Sequence, residues 1–122
     1  MFEDVRLQAH ALMEIATALG DSYAKPVSFA LVIQDLGGTD ETFSKVLSQT
    51  SYLINTNDIS KYTLADFKAF YQELEPEVFK DVSDIMIIKL LNALAKIYID
   101  DLYPIAKNIT QIYQLDNKLP GA

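Results

Sequence analysis

The sequence predicts an all-α protein, a compact bundle-like domain of five or six helices. Apolar residues recur at three- and four-residue steps along most of the chain, which is the periodicity of amphipathic helices. The segment from Ile85 to Ile99, IMIIKLLNALAKIYI, is too apolar for an ordinary surface helix, and it is too short and too interrupted to span a membrane. We therefore expect a central apolar helix around residues 77–99.

Composition indicates the size and the setting of this domain. The 122 residues suffice for one core and are too few for two, so we assign residues 1–117 to a single helical domain and residues 118–122 to a tail. The absence of cysteine excludes disulfides, thiolate metal sites and cysteine nucleophiles, and it fits a reducing compartment. The first residues, MFEDV, lack the basic start of a secretory signal. We therefore expect a cytoplasmic protein that is not inserted in a membrane.

The charge balance is acidic. Ten basic residues stand against seventeen acidic ones, which gives a formal net charge of −7. Such a surface repels phosphate backbones, so we expect no direct binding of nucleic acid. The negative charge would favour a basic protein partner, or it simply keeps the protein soluble.

Two helices are predicted before the double glycine at residues 37–38. Helix one covers residues 3–19, and Gly20 is its expected end. Its apolar face comprises Val5, Ala9, Leu12, Ala16 and Leu19. Helix two is the segment PVSFALVIQDL, in which Pro26 suits the first turn and the double glycine follows the end.

Two further helices begin at threonines. Thr39 is the expected N-cap of helix three, which continues to about Ser48. Residues 49–62 mix β-branched residues with Asn, Asp and Ser, so we expect a loop there. Thr63 is the next N-cap, and the segment LADFKAFYQEL after it is an amphipathic fourth helix.

The last two helices contain most of the apolar sequence. Pro76 begins helix five, which includes the apolar segment described above. Asp100, Asp101 and Pro104 indicate a break or a kink. The apolar face of the final helix comprises Leu102, Ile105, Ile109, Ile112 and Tyr113.

Helix five divides into two arcs when its residues are placed at about 100° each. The core arc comprises Phe79, Met86, Ile87, Leu90, Leu91, Ala93, Leu94, Ile97 and Tyr98. The other arc comprises the polar residues Asp81, Lys89, Asn92, Lys96 and Asp100, together with Ile85, Ile88 and Ile99. A helix with one wet face has no need of these three isoleucines there.

Two main explanations of the three isoleucines stay open. Other helices of the same chain cover them, or they belong to a patch that binds another chain, most simply a second copy. A third explanation is a pocket for an apolar ligand. The candidate interface comprises Ile85, Ile88, Lys89, Asn92, Lys96, Ile99, Tyr103 and Tyr113.

The sequence shows no arrangement typical of catalysis or of metal binding. His10 is the only histidine, and a surface pair with Glu14 one turn away explains it. The double glycine at residues 37–38 is not followed by the residues of a phosphate-binding loop. We therefore predict no catalytic residue, no metal and no cofactor.

One segment has the length of a calcium-binding loop. It runs over residues 55–66, NTNDISKYTLAD. Ile59 occupies a position where an oxygen ligand belongs, Ser60 replaces the glycine of the sharp turn, and Asp66 replaces the bidentate glutamate. We therefore interpret it as a loop leading into the N-cap of helix four.

The function predicted from these patterns is non-enzymatic. We expect a small protein–protein interaction domain that self-associates through its two C-terminal helices. The alternative is a small acidic inhibitor or immunity-type protein that binds a basic site on a toxin, nuclease or polymerase. A carrier of an apolar ligand in the bundle core is the third hypothesis.

Overall fold

The computed structural model describes residues 5–118, which form helices and connecting segments and no strand. The elements are α1 (Val5–Ala18), α2 (Phe29–Asp35), α3 (Asp40–Thr56), α4 (Leu64–Leu74), α5 (Pro76–Phe79), α6 (Asp84–Ile97), a 3₁₀ turn (Asp100–Leu102) and α7 (Tyr103–Asp116). The predicted all-α class is confirmed. Residues 3 and 4 of the predicted first helix, and the predicted tail after residue 118, lie outside the described residues.

The core is built around α6. This helix makes its most extensive contacts with α7 and α2, and then with the 3₁₀ turn and α4. Its side chains at positions 87, 88, 90, 91, 93 and 94 are completely or almost completely buried. Phe29 of α2, Phe67 and Tyr71 of α4, and Phe79 of α5 belong to the same apolar cluster. The apolar helix is therefore central, as predicted.

Two helix starts are formed by threonine caps that the sequence predicts. Thr39 Oγ1 accepts the N–H of Thr42, and Thr63 Oγ1 accepts the N–H of Asp66. The side chains of Thr42 and Asp66 accept the N–H of the respective cap in return. These reciprocal pairs are capping boxes, so both predicted N-caps are confirmed.

The end of α3 differs from the prediction. The helix continues to Thr56, so the loop predicted over residues 49–62 is wrong for its first half. Thr50 and Leu53 are buried, and Thr50 Oγ1 lies 2.8 Å from Tyr71 Oη of α4. Burial raises the pKa of Tyr71, so its hydroxyl stays protonated at neutral pH. Packing against α4 therefore outweighs the weak helix propensity of this segment.

The predicted fifth helix is two helices. α5 ends at Phe79, and α6 begins at Asp84. Between them Ser83 is an N-cap whose Oγ accepts the N–H of Met86. A serine hydroxyl that satisfies a backbone donor in this way favours the start of a new helix. This break adds a helix, so residues 5–118 contain seven helices where the sequence predicts five or six.

Residues 19–28, called here the connecting segment, lead from α1 to α2 across the surface of α6. α2 begins at Phe29 because Ser28 Oγ accepts the N–H of Leu31 and caps the helix. The prediction that Pro26 lies in the first turn of helix two is therefore wrong. Pro26 is buried within the connecting segment.

Candidate interaction surface

The polar side of α6 holds the connecting segment against the core. Lys89, Asn92 and Lys96 lie at three- and four-residue steps and form one stripe, called here the anchoring stripe. Lys89 Nζ lies 2.7 Å from Asp21 Oδ2 in an ion pair with little solvent exposure. Lys96 Nζ donates to the carbonyl of Pro26 at 3.3 Å. These residues of the predicted interface therefore bind a segment of their own chain.

Asn92 occupies the centre of the anchoring stripe and joins three parts of the chain. Its Nδ2 donates to the carbonyl of Tyr23 and to Thr110 Oγ1 of α7, each at 3.0 Å. Gln114 Nε2 of α7 donates to Tyr23 Oη at 3.1 Å. The ring of Tyr113 packs edge-on against the ring of Tyr23, with centroids 6.3 Å apart. Tyr113, also predicted in the interface, is therefore half-buried against the connecting segment.

The carboxylate of Asp21 lies in an environment that stabilises its charge. Burial acts to raise the pKa of Asp21. The hydrogen bonds from Lys89 and from the Val27 N–H, together with the positive charges of Lys89 and Lys96, outweigh this effect. The net result is a pKa below the ordinary value of an aspartate, so Asp21 is ionised at neutral pH.

The three isoleucines on the second arc of the predicted helix five are buried or half-buried in their own chain. Ile88 is 1% exposed and belongs to the core, which corrects its place in the predicted interface. Ile99 is half-buried and packs against the core cluster, and Ile85 is half-buried at the start of α6. The connecting segment crosses this side of α6, so the side of the helix that the sequence predicts as solvent-exposed is partly covered.

The C-terminal end of α6 is more open than its periodicity predicts. Ile97 and Tyr98, assigned to the core arc, are exposed because the helix ends there. Tyr98 still packs edge-on against Phe29 and Phe43 with one side of its ring. Tyr103 is also exposed, so it is the one apolar or aromatic residue of the predicted interface that faces solvent.

The largest exposed apolar surface of a single helix lies on α1. The side chains of Leu7, Leu12, Met13, Ile15 and Leu19, the last directly after the helix, are between 45% and 69% exposed. Ala16 is the only α1 residue classed as buried among those whose burial is described. α1 has no extensive contact with any other described helix. Its apolar residues occupy roughly two-thirds of the helix circumference at 100° per residue, and the large ones among those whose burial is described stay about half exposed or more.

A groove separates α1 from α2 and the end of the connecting segment. Its volume is about 300 Å³, and we call it the α1–α2 groove. It is lined by Leu12, Ile15, Ala16, Leu19, Val27, Ser28, Ala30, Leu31 and Gln34. None of these side chains is charged, so the groove can accommodate aliphatic side chains without desolvating an ion.

The end of α1 is fixed by a glycine that the sequence predicts as its stop. The N–H of Asp21 donates to the carbonyl of Ala16 at 2.9 Å, and the N–H of Gly20 donates to the carbonyl of Thr17 at 3.0 Å. This is the hydrogen-bond pattern of a Schellman motif. Gly20 has a φ of +86°, which residues with a Cβ rarely adopt. Since Lys89 holds the next residue, α1 is attached to the core at its C-terminal end.

The structure also places the other residues and segments considered for catalysis or metal binding. His10 lies exposed on α1. In the segment 55–66, Ile59 is buried and the carboxylate of Asp66 is used by the capping box of α4. Residues 5–118 contain no group of three or more His, Asp or Glu side chains arranged to hold a metal ion. In the same range no helix is long and apolar enough to cross a membrane.

The exposed surface of α1 is a candidate binding surface that the sequence prediction did not include. Its predicted apolar face omitted Leu7, Met13 and Ile15. The sequence contains a signal for this surface. When every apolar residue of helix one is placed around its axis, as for helix five, the apolar arc is too wide to be covered by one neighbouring helix.

Comparison of the chain with protein-family models, with curated proteins and with solved structures gives no match.

Proposed function

We propose that this chain is a small non-enzymatic protein–protein interaction domain that binds its partner through α1 and the α1–α2 groove. The observation that carries the proposal is the group of exposed aliphatic side chains on α1, with Leu12, Ile15 and Leu19 at its centre. Contiguous apolar patches of this kind on a small protein typically mark a binding surface. The groove beside them offers a concave edge in which a partner's side chains can be buried.

The C-terminal helices expose less continuous apolar surface for the self-association that the sequence predicts. The exposed apolar residues of α7 are Tyr103, Ile112 and Leu115. Tyr103 lies nine residues before Ile112, which places the two on opposite sides of the helix at 100° per residue. Of the two surfaces, α1 therefore presents the more continuous apolar stripe, and we assign the binding surface to it.

Salt dependence separates this proposal from an acidic inhibitor. A partner bound through the uncharged α1–α2 groove should stay bound when the salt concentration rises from about 0.05 to 0.5 M. A basic partner bound through the net charge of −7 should be released over the same range. Steep release by salt would therefore favour the inhibitor over the α1 surface.

Site-specific cross-linking tests the surface itself. A photo-reactive amino acid replaces Ile15 in the full chain, produced in the cells where the protein occurs naturally, and an equivalent replacement of the exposed Glu73 on α4 is the control. We expect adducts of discrete mass from position 15 and little product from position 73. Equal yields at the two positions, or no adduct at position 15, would contradict binding through α1.

A further inference from the structure

The outward side of α1 is symmetric about Ala11. Leu7, Ala11 and Ile15 follow one another at four-residue steps, so they lie along one stripe, called here the outer stripe. All three side chains are exposed. The smallest side chain is at the centre, and the two large ones lie at equal distances on either side. A second helix can approach closely at a small central residue, because the side chains at the contact set the distance between helix axes.

The charges of α1 also change sign about its middle. Arg6 lies four residues before His10 and Glu14 lies four residues after it on the polar side of the helix, where Glu14 is the nearest of the three to the outer stripe. A parallel copy of the helix would place Arg6 beside Arg6 and Glu14 beside Glu14. An antiparallel copy would place each Arg6 near Glu14 of the other copy, which is the favourable arrangement.

We propose that the partner of this surface is a second copy of this chain, with the two α1 helices paired antiparallel about a two-fold axis at Ala11. The inference rests on the proposed function and names its partner. The pairing is isologous, since Leu7 of each copy meets Ile15 of the other and Ala11 meets itself. Ile15 belongs both to the outer stripe and to the lining of the α1–α2 groove, so the second α1 lies beside the groove.

The size of the surface fits a second copy better than a small ligand. The exposed fractions on α1 correspond to an apolar area of the order of 500 Å² per copy, which places the pair near the lower limit of specific interfaces. The groove volume of about 300 Å³ is at the lower limit for pockets that hold small molecules. We therefore expect a reversible dimer with a dissociation constant in the micromolar range.

Sedimentation velocity of the full chain tests the pairing. Between about 5 and 500 µM the mass should rise from one copy of 13.7 kDa towards two. Ile15→Glu should keep the mass of one copy at every concentration, because it places a charge in the outer stripe. Leu115→Glu on α7 is the matched control, since Leu115 is even more exposed at 78%, and it should associate like the wild type. Circular dichroism checks that both variants are folded.

Engineered cysteines test the orientation, because the chain has no cysteine of its own. Ala11→Cys should form a disulfide between two copies rapidly under mild oxidation, since the two-fold axis brings this position against itself. Ala18→Cys should not, because antiparallel pairing separates the two copies of this position by roughly 20 Å along the helix axis. Equal cross-linking at both positions would indicate parallel pairing and overturn the proposed arrangement.

A charge exchange tests the two ends of the pair. Glu14→Arg should weaken the dimer by about fivefold, since each new arginine then faces Arg6 of the other copy. Adding Arg6→Glu to the same chain should restore the wild-type affinity to within about twofold. Failure of the double variant to recover the affinity lost in the single variant would contradict the antiparallel pairing.

These experiments test two claims separately: that the partner is a second copy, and that the binding surface is on α1. A wild type that stays at the mass of one copy at about 500 µM overturns the second copy as partner. Loss of association in Leu115→Glu but not in Ile15→Glu overturns the placement on α1 in favour of α7. The cross-linking experiment at position 15 decides the proposed function independently, because adducts with a different protein would support the α1 surface even then.

Discussion

Two helices of equal length have opposite surroundings in this protein. α1 and α6 both comprise 14 residues and are both rich in leucine, isoleucine and alanine. α6 buries seven of its residues, whereas α1 buries only Ala16 among those whose burial is described. α6 is the more apolar of the two helices, and other elements surround it, whereas α1 has no extensive contact with another described helix.

The polar residues of the two helices differ in the same way. On α6 the anchoring stripe of Lys89, Asn92 and Lys96 bonds to a segment about 70 residues earlier in the chain. On α1 the polar residues His10 and Glu14 lie exposed on the solvent side. A polar side chain on a central helix thus holds a neighbouring segment in place, whereas on a peripheral helix it keeps one face in water.

The largest effect is expected from shortening a core residue of α6. Leu94 is fully buried, and Leu94→Ala should lower the free energy of unfolding by about 2–5 kcal/mol through lost burial and an internal cavity. Urea denaturation followed by circular dichroism at low micromolar concentration measures the loss. A decrease below about 1 kcal/mol would contradict the central position of this helix.

The next effect concerns the ion pair that attaches the connecting segment to α6. Asp21→Asn should lower stability by about 1–3 kcal/mol at pH 7, because it leaves the ammonium of Lys89 partly buried without its partner. The pKa of Asp21 is lowered in the folded state, so the pair stabilises the protein at every pH above 3.8, the ordinary pKa of an aspartate. This stability is lost as the pH falls through the pKa of Asp21 in the folded state.

The difference between wild type and Asp21→Asn should therefore shrink when urea denaturation is repeated at decreasing pH below about 4. Asp116→Asn on the exposed end of α7 is the control, and it should change stability by no more than about 0.5 kcal/mol. A difference that stays constant down to the lowest pH would show that the carboxylate of Asp21 has no special environment.

A smaller effect is expected at the start of α6. Ser83→Ala removes the hydroxyl that accepts the N–H of Met86 and should cost about 1 kcal/mol. Ser83→Asp keeps an N-cap acceptor and should stay within a few tenths of a kcal/mol of the wild type. Thermal unfolding of the three proteins gives the comparison. Equal losses in both variants would show that the cap does not position this helix.

The smallest effect is expected on α1. Leu19 is 69% exposed, and Leu19→Ala should change the free energy of unfolding by less than about 0.5 kcal/mol when copies are separated by dilution. The same leucine-to-alanine change at position 94 provides the internal comparison. A loss above about 2 kcal/mol at position 19 would mean that α1 is packed as firmly as α6.

Local signals predict much of this fold. The caps at Thr39 and Thr63 and the stop at Gly20 depend on residues within one helical turn, and the structure confirms all three. The start of α6 at Ser83 also has a local cause, because serine is favoured at N-caps over helix interiors. The sequence prediction joined the two helices because Phe79 and Met86 fall on the same arc at 100° per residue.

The remaining features depend on contacts distant in sequence. The extension of α3 beyond Ser48 requires Tyr71 as the hydrogen-bond partner of Thr50. The role of Lys89 requires Asp21, which is 68 residues away. Periodicity reports which residues share a face, but it does not report what covers that face. This is why Lys89, Asn92 and Lys96 of the predicted interface face the connecting segment. The wide apolar arc of α1 is visible in its periodicity, but its exposure is not.

The attachment of α1 through Gly20 and Asp21 also makes this helix modular. Among the described residues, α1 meets the interior mainly through Ala16 and through the ion pair of Asp21, which holds the chain three residues after the helix ends. Substitutions along the outer stripe can therefore accumulate without disturbing core packing. Such changes leave the seven buried residues of α6 untouched, so the core and the exposed surface of α1 can vary independently.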